Sequence, residues 1–76
     1  MKPNFIHTKP NGSETTFHCK LHSHNYIHRY CDTYDLEIQF HRKELLQNDS
    51  WSKQVRYTIT LSDGSNYVIY TQYFKN

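Results

Sequence analysis

Two cysteines and three histidines lie within 13 residues of each other and form the densest group of reactive side chains in the sequence. The group consists of Cys19, His22, His24, His28 and Cys31. Thiolate and imidazole groups are the ligands that tetrahedral zinc prefers. Two of each occur at the spacing C-x2-H-x5-H-x2-C, which predicts a zinc site formed by Cys19, His22, His28 and Cys31.

The same segment has two other interpretations. If residues 17–21 and 27–31 are strands of a hairpin centred near Asn25, Cys19 and His22 point to opposite faces, because strand side chains alternate. The cysteines then act as small apolar residues and the histidines face solvent. Cys19 and Cys31 would lie opposite each other, where a disulfide is the third alternative. We expect no cofactor, with zinc as the alternative.

The chain offers few of the residues that an active site needs. Its two glycines, Gly12 and Gly64, both sit in predicted turns, so a glycine-rich phosphate loop and a dinucleotide fingerprint are excluded. Asp35 and Glu37 share one face of a predicted strand, where solvated carboxylates are the ordinary arrangement. We therefore expect a protein that is not an enzyme.

Length and composition predict one small domain with a thin core. Of the 76 residues, 16 are Ile, Leu, Val or Phe, and seven are Tyr. The net charge of +2 is too low for a dedicated duplex-binding protein and does not indicate disorder. The sequence contains neither an apolar run of membrane-spanning length nor the pattern of a signal peptide, so we expect a cytoplasmic protein without membrane contact.

Alternating polar and apolar residues predict a mainly β, small α+β fold. The alternation is clearest over residues 34–41 and 55–61, and Asp63-Gly64 predicts a hairpin turn before residues 67–74. Residues 42–48 contain the main group of helix formers, so we expect one short helix there. The predicted fold is a single antiparallel meander of four to five strands. Residues 1–14 are expected to be a flexible N-terminal tail or an edge strand, and 15–76 a single β-rich domain.

The last predicted strand is apolar on both of its faces. A two-residue turn at Asp63-Gly64 places Tyr70 opposite Tyr57, whereas a three-residue turn exchanges the faces. Either register leaves aromatic side chains on the face turned away from the first core. Tyr and Arg are frequent in binding hot spots. The predicted partner-binding residues are Tyr67, Ile69, Tyr73, Arg56, Tyr26, Arg29 and Tyr30.

These features predict a small, non-enzymatic interaction protein that docks a tyrosine-rich sheet face onto a protein partner. In size and style it is comparable to the inhibitors and adaptors that phages and other mobile elements encode. A zinc-stapled module that binds single-stranded nucleic acid is the first alternative, because aromatic and basic residues alternate in the predicted strands. A homodimer that buries the second sheet face against its own copy is the second alternative.

Overall fold

A computed structural model describes residues 3–74 and shows a five-stranded antiparallel sheet with one helix. The elements in chain order are β1 Phe5–Thr8, β2 Glu14–Phe17, α1 Lys20–Tyr34, β3 Ile38–Asn48, β4 Ser52–Leu61 and β5 Asn66–Phe74. The predicted mainly β, small α+β fold is confirmed. Within residues 3–74, no helix has the length and apolar character needed to cross a membrane.

The strand order is β2-β1-β5-β4-β3, so β5 lies at the centre of the sheet. β3, β4 and β5 form a meander, but β5 also pairs with β1, which a simple meander would not produce. Phe5–Thr8 therefore lies between two strands, and the expectation of a tail or an edge strand at residues 1–14 does not describe it. Residues 1, 2, 75 and 76 of the predicted units lie outside the described range.

The positions predicted for the helix and for the first hairpin are both wrong. Residues 20–34, expected to contain a hairpin, form the 15-residue helix α1. Tyr26, Tyr30 and Tyr34 are four residues apart, which places their rings along one side of a helix. Residues 42–48, expected to be helical, belong to β3. Its pairing with β4 outweighs the weak helix propensity of this segment.

The turn between β4 and β5 follows the three-residue alternative. The amide of Leu61 donates to the carbonyl of Ser65 across 2.9 Å, and Gly64 adopts a positive φ of 88°. Glycine takes this left-handed conformation without a steric penalty. The resulting register pairs Tyr57 with Ile69 instead of Tyr70. Tyr57 and Ile59 of β4 consequently lie on the same face of the sheet as Tyr67, Ile69 and Tyr73 of β5.

Polar and aromatic side chains hold α1 on the sheet. A hydrogen bond of 2.9 Å joins Nδ1 of His7 and the phenol of Tyr26, and Ser23 hydrogen bonds to Tyr67. The face of the sheet that carries His7 and Tyr67 is called the helix face below, and the opposite face is called the outer face. In the described part of the chain, four apolar residues are buried, namely Phe5, Val55, Leu61 and Tyr67. The core is as thin as the composition predicts.

Candidate functional site

The helix covers only one side of the helix face. The ring of Tyr26 lies 5.5 Å from His7 in β1 and 5.0 Å from Phe17 in β2, measured between ring centroids. Over β3 and β4 the sheet continues beyond the helix. A cavity of about 270 Å³ separates them, and Cys31, Ile38 and Leu61 are among its lining residues. Much of the β3 and β4 half of the helix face is therefore not covered by α1, although Val55 and Leu61 of β4 are themselves buried.

A groove of about 780 Å³ runs over the uncovered part of this face. Histidines reach it from three places in the chain, namely His18 before α1, His24 in α1 and His41 in β3. Lys20 adds a permanent positive charge. Of the described residues that line the groove, none is Asp or Glu. The groove therefore has a positive electrostatic potential, which suits an anionic group.

Aromatic rings form a row in the groove, and two lysines lie against them. The rings of His41 and Tyr57 stack at 5.9 Å, and the phenols of Tyr57 and Tyr73 are 3.3 Å apart. The hydrogen bond to Tyr57 raises the pKa of the Tyr73 phenol. The ammonium groups of Lys43 and Lys53 lie 5.9 Å and 5.3 Å from the rings of Tyr57 and Tyr73. This surface offers flat rings and cations together.

The charges on the outer face are paired. Glu44 in β3 accepts a hydrogen bond of 2.6 Å from Arg56 in β4, and it lies 3.1 Å from Arg42. The hydrogen bond to Glu44 raises the pKa of the Arg56 guanidinium. The two faces of the hairpin thus differ. On the outer face one carboxylate, Glu44, is shared by two arginines, whereas Lys43 and Lys53 on the helix face lie against aromatic rings.

Exposed apolar side chains are concentrated on and beside the β3–β4 hairpin. Seven of the nine large apolar side chains that are exposed among residues 3–74 lie on β3, in its turn to β4, or at the end of β5. They are between 40% and 70% exposed. They lie on both faces of the sheet around the edge strand β3 and the β3–β4 turn. We call them together the apolar surface, formed by Ile38, Phe40, Leu45, Leu46, Trp51, Tyr73 and Phe74.

The structure separates most of the predicted partner-binding residues. Tyr67 is only 3% exposed because it lies under α1, and the rings of Tyr26 and Tyr30 pack against His7. Arg29 is exposed on the helix, and Arg56 is on the outer face. Ile69 and Tyr73 both line the groove, and Tyr26 and Tyr30 stack on each other in α1. The structure does not bring the seven residues together on one surface.

The four predicted zinc ligands do not converge. Cys19 caps the start of α1 and Cys31 lies 12 residues further along it. At about 1.5 Å per residue their backbones are ~18 Å apart, too far for one metal ion or for a disulfide, and both thiols are free. Across residues 3–74 the structure shows no group of three or more His, Cys, Asp or Glu arranged for a metal. His22 and His28 are exposed on the helix.

The Cys31 thiol also differs from a metal ligand or nucleophile in its electrostatics. Partial burial and the neighbouring carboxylates of Asp32 and Asp63 raise its pKa. A raised pKa keeps the sulfur protonated, whereas metal binding and nucleophilic attack need the thiolate.

Sequence reasoning missed the histidine groove, because its three histidines are joined only by the tertiary fold. His24 and His41 are 17 residues apart, and no local spacing marks them as neighbours. The helix did leave a signal, namely the four-residue spacing of Tyr26, Tyr30 and Tyr34. We compared the chain with protein-family models, curated proteins and solved structures, and none of them matches it.

Proposed function

We propose that the protein is a non-enzymatic binding module that docks its apolar surface onto a protein partner and acts as an inhibitor or an adaptor. The observation that carries this proposal is the edge strand β3. Four large apolar side chains, Ile38, Phe40, Leu45 and Leu46, are exposed on that one strand. Edge strands in soluble proteins usually carry polar residues or are covered.

The energetics of burial favour a protein partner. Each large apolar side chain that moves from water into an interface contributes about 1.5–3 kcal/mol before the costs of association. Trp51, 61% exposed, and Phe74, 70% exposed, have the size and exposure of hot-spot residues. Aliphatic side chains such as Leu45 and Leu46 can pack against apolar surfaces of proteins, whereas a phosphate backbone has no apolar surface for them.

The groove supports a second candidate function, the binding of single-stranded nucleic acid. Its rings, Tyr57 and Tyr73, lie beside Lys43 and Lys53, and lining carboxylates are lacking among the described residues. Stacking platforms within cationic grooves bind single strands without sequence preference. This function predicts that a labelled oligothymidylate binds at low salt and dissociates as salt increases.

Substitutions on the apolar surface test the first proposal. Leu46→Ser and Trp51→Ser each remove an exposed side chain from this surface, and Leu21→Ser removes an exposed leucine from α1 as a matched control. A partner captured from a lysate should be purified and titrated with each variant. We expect the two surface variants to weaken binding at least tenfold and the control to leave it unchanged.

Two results would contradict the proposal. If all three variants bound the partner as tightly as the wild type does, the interface would lie elsewhere on the protein. A dimeric mass in solution that becomes monomeric with Trp51→Ser would show that the apolar surface pairs with its own copy, which is the homodimer alternative.

A further inference from the structure

We propose that the partner adds an extended segment to the free edge of β3, with acidic side chains on the helix face and apolar side chains on the outer face. This inference rests on the proposed function and specifies how the partner docks. Among the described residues, β3 pairs only with β4. Its other side presents backbone N–H and C=O groups that a further strand could bond.

The middle of β3 is suited to strand addition. Irregularities in the pairing with β4 occur between Ile38 and Phe40 and between Leu45 and Gln47. Between them, residues 40–45 pair without interruption. Bulges protect an edge where they occur, because they twist it and disturb the ladder. The regular stretch of six residues between the two irregularities is about the length of a typical strand.

The charges beside this stretch favour an acidic segment. His41 and Lys43 point to the helix face, where they pair with Ile59 and Tyr57, and the lining of the groove beside them includes no carboxylate among the described residues. On the outer face Arg42 is already bridged by Glu44, and Phe40 is exposed. A complementary strand therefore alternates acidic residues opposite His41 and Lys43 with apolar residues opposite Phe40.

The same charges oppose pairing of β3 with a second copy of itself. In a two-fold antiparallel pair the central residue faces its own copy. A centre at residues 41–43 would place His41, Arg42 or Lys43 against itself, and a centre at Glu44 would oppose two carboxylates. A centre at Lys43 would also place Arg42 opposite Glu44 of the copy, but Glu44 is already paired with Arg42 and Arg56 of its own chain. Like charges directly opposite each other destabilise a sheet. Centres at Phe40 or Leu45 lie at the irregularities. A partner segment therefore fits this edge better than a second copy.

Amide hydrogen exchange and peptide titration test strand addition. The probe is a capped peptide of about ten residues that alternates glutamate and valine, and the control peptide alternates lysine and valine. We expect the glutamate peptide to slow amide exchange within residues 40–45, and Lys43→Glu to weaken its binding at least tenfold. Arg29→Glu makes the same charge change on the exposed surface of α1 and should leave binding unchanged. Lys43→Glu should also gain affinity for the lysine peptide.

The outcomes separate this inference from the proposed function. If a purified partner binds the wild type and loses affinity with Trp51→Ser, but residues 40–45 exchange as fast as in the free protein, strand addition is overturned while the proposed function stands. Binding of the peptide with no effect of Lys43→Glu would also overturn it. If an oligothymidylate slows exchange at residues 40–45 and the glutamate peptide does not, the edge serves nucleic acid instead.

Discussion

The side-chain hydroxyl of Ser23 in α1 hydrogen bonds to the phenol of Tyr67 in β5, inside the protein. Ser23 is fully buried and Tyr67 is 3% exposed. This bond joins the helix to the central strand, and the two residues are 44 positions apart in the chain. A helix with few apolar residues is thus held by polar contacts that cannot be lost without leaving a buried group unpaired.

Removing either partner of this bond should destabilise the protein. Ser23→Ala leaves the buried hydroxyl of Tyr67 without a partner, and Tyr67→Phe leaves the hydroxyl of Ser23 without one. Each substitution costs about 1–3 kcal/mol in the free energy of unfolding. The double variant should cost less than the two single costs together, because the second substitution removes a group that is already unpaired. Urea unfolding of the four proteins measures this difference. If the cost of the double variant equals the sum of the two single costs, the bond does not contribute to the free energy of unfolding.

Acid should destabilise the protein through His7. Burial lowers the pKa of His7 below 6.5, although the charge of Asp63 opposes the shift, and Nε2 has no partner among residues 3–74. As the pH falls below 6.5, the unfolded chain binds a proton before the folded one, so stability present above this pH is lost, by at most about 1.4 kcal/mol per pH unit. Unfolding measured between pH 7 and about pH 5 should show this decline.

The matched variants for this measurement are His7→Leu and His22→Leu. His22 is exposed on α1, so its removal should leave the decline unchanged. With His7→Leu the free energy of unfolding should become less dependent on pH over the same range. An identical pH dependence in all three proteins would assign the acid sensitivity to other groups.

The hydrogen bond between Tyr30 and Asp63 should make this phenol resist deprotonation. The phenol donates to Oδ2 of Asp63 across 2.5 Å, and this bond together with burial raises the pKa of Tyr30 to about 12. The unfolded chain ionises first as the pH rises above 10, so stability should fall between pH 10 and 12. Titration of ¹³C-labelled tyrosine by NMR, assigned with Tyr30→Phe, checks the value. Asp63→Asn should lower the pKa of Tyr30, and an unchanged pKa in this variant would contradict the role of Asp63.

Substitution of Asp35 by glycine should stabilise the protein. Asp35 ends α1 in the left-handed conformation, with φ of 53°, which costs a residue with a Cβ about 1 kcal/mol relative to glycine. Asp35→Gly should raise the free energy of unfolding by up to this amount, despite the greater flexibility of the unfolded chain. Thermal unfolding would show a higher Tm. Thr33→Gly, inside the helix, should lower it, and a lower Tm for both variants would argue against strain at Asp35.

The sequence predicts the C-terminal half of the fold better than the N-terminal half, because local patterns dominate there. The alternation of Val55, Tyr57, Ile59 and Leu61 and the turn at Asp63-Gly64 identify β4 and the hairpin to β5. Alternation alone cannot determine the register, which depends on whether the turn has two or three residues. The residue composition of α1 does not indicate a helix. Tyr26 and Tyr30 are typical strand residues, and here they face the sheet from a helix, where their hydroxyl groups hydrogen bond with His7 and Asp63.

The candidate site was harder to predict than the fold. Ile69 and Tyr73 both line the groove, but Tyr67, two positions before Ile69, is covered by α1, and no local pattern shows how far a helix extends over a sheet. Local patterns predict a helix at Lys43 and the end of a strand at His41, whereas both residues are neighbours on the helix face of β3. Their role depends on β3 being the edge strand, which follows from the order of all five strands.

The central position of β5 has a consequence for how the protein is made. β1 and β2 form one hairpin and β3 and β4 another, and β5, which follows them in the chain, joins the two. During synthesis on a ribosome, both hairpins emerge before the strand that connects them. The sheet can therefore close only after β5 has been synthesised, and a chain that stops before Asn66 has two hairpins without the strand that joins them. Folding is expected to depend on one late, long-range pairing.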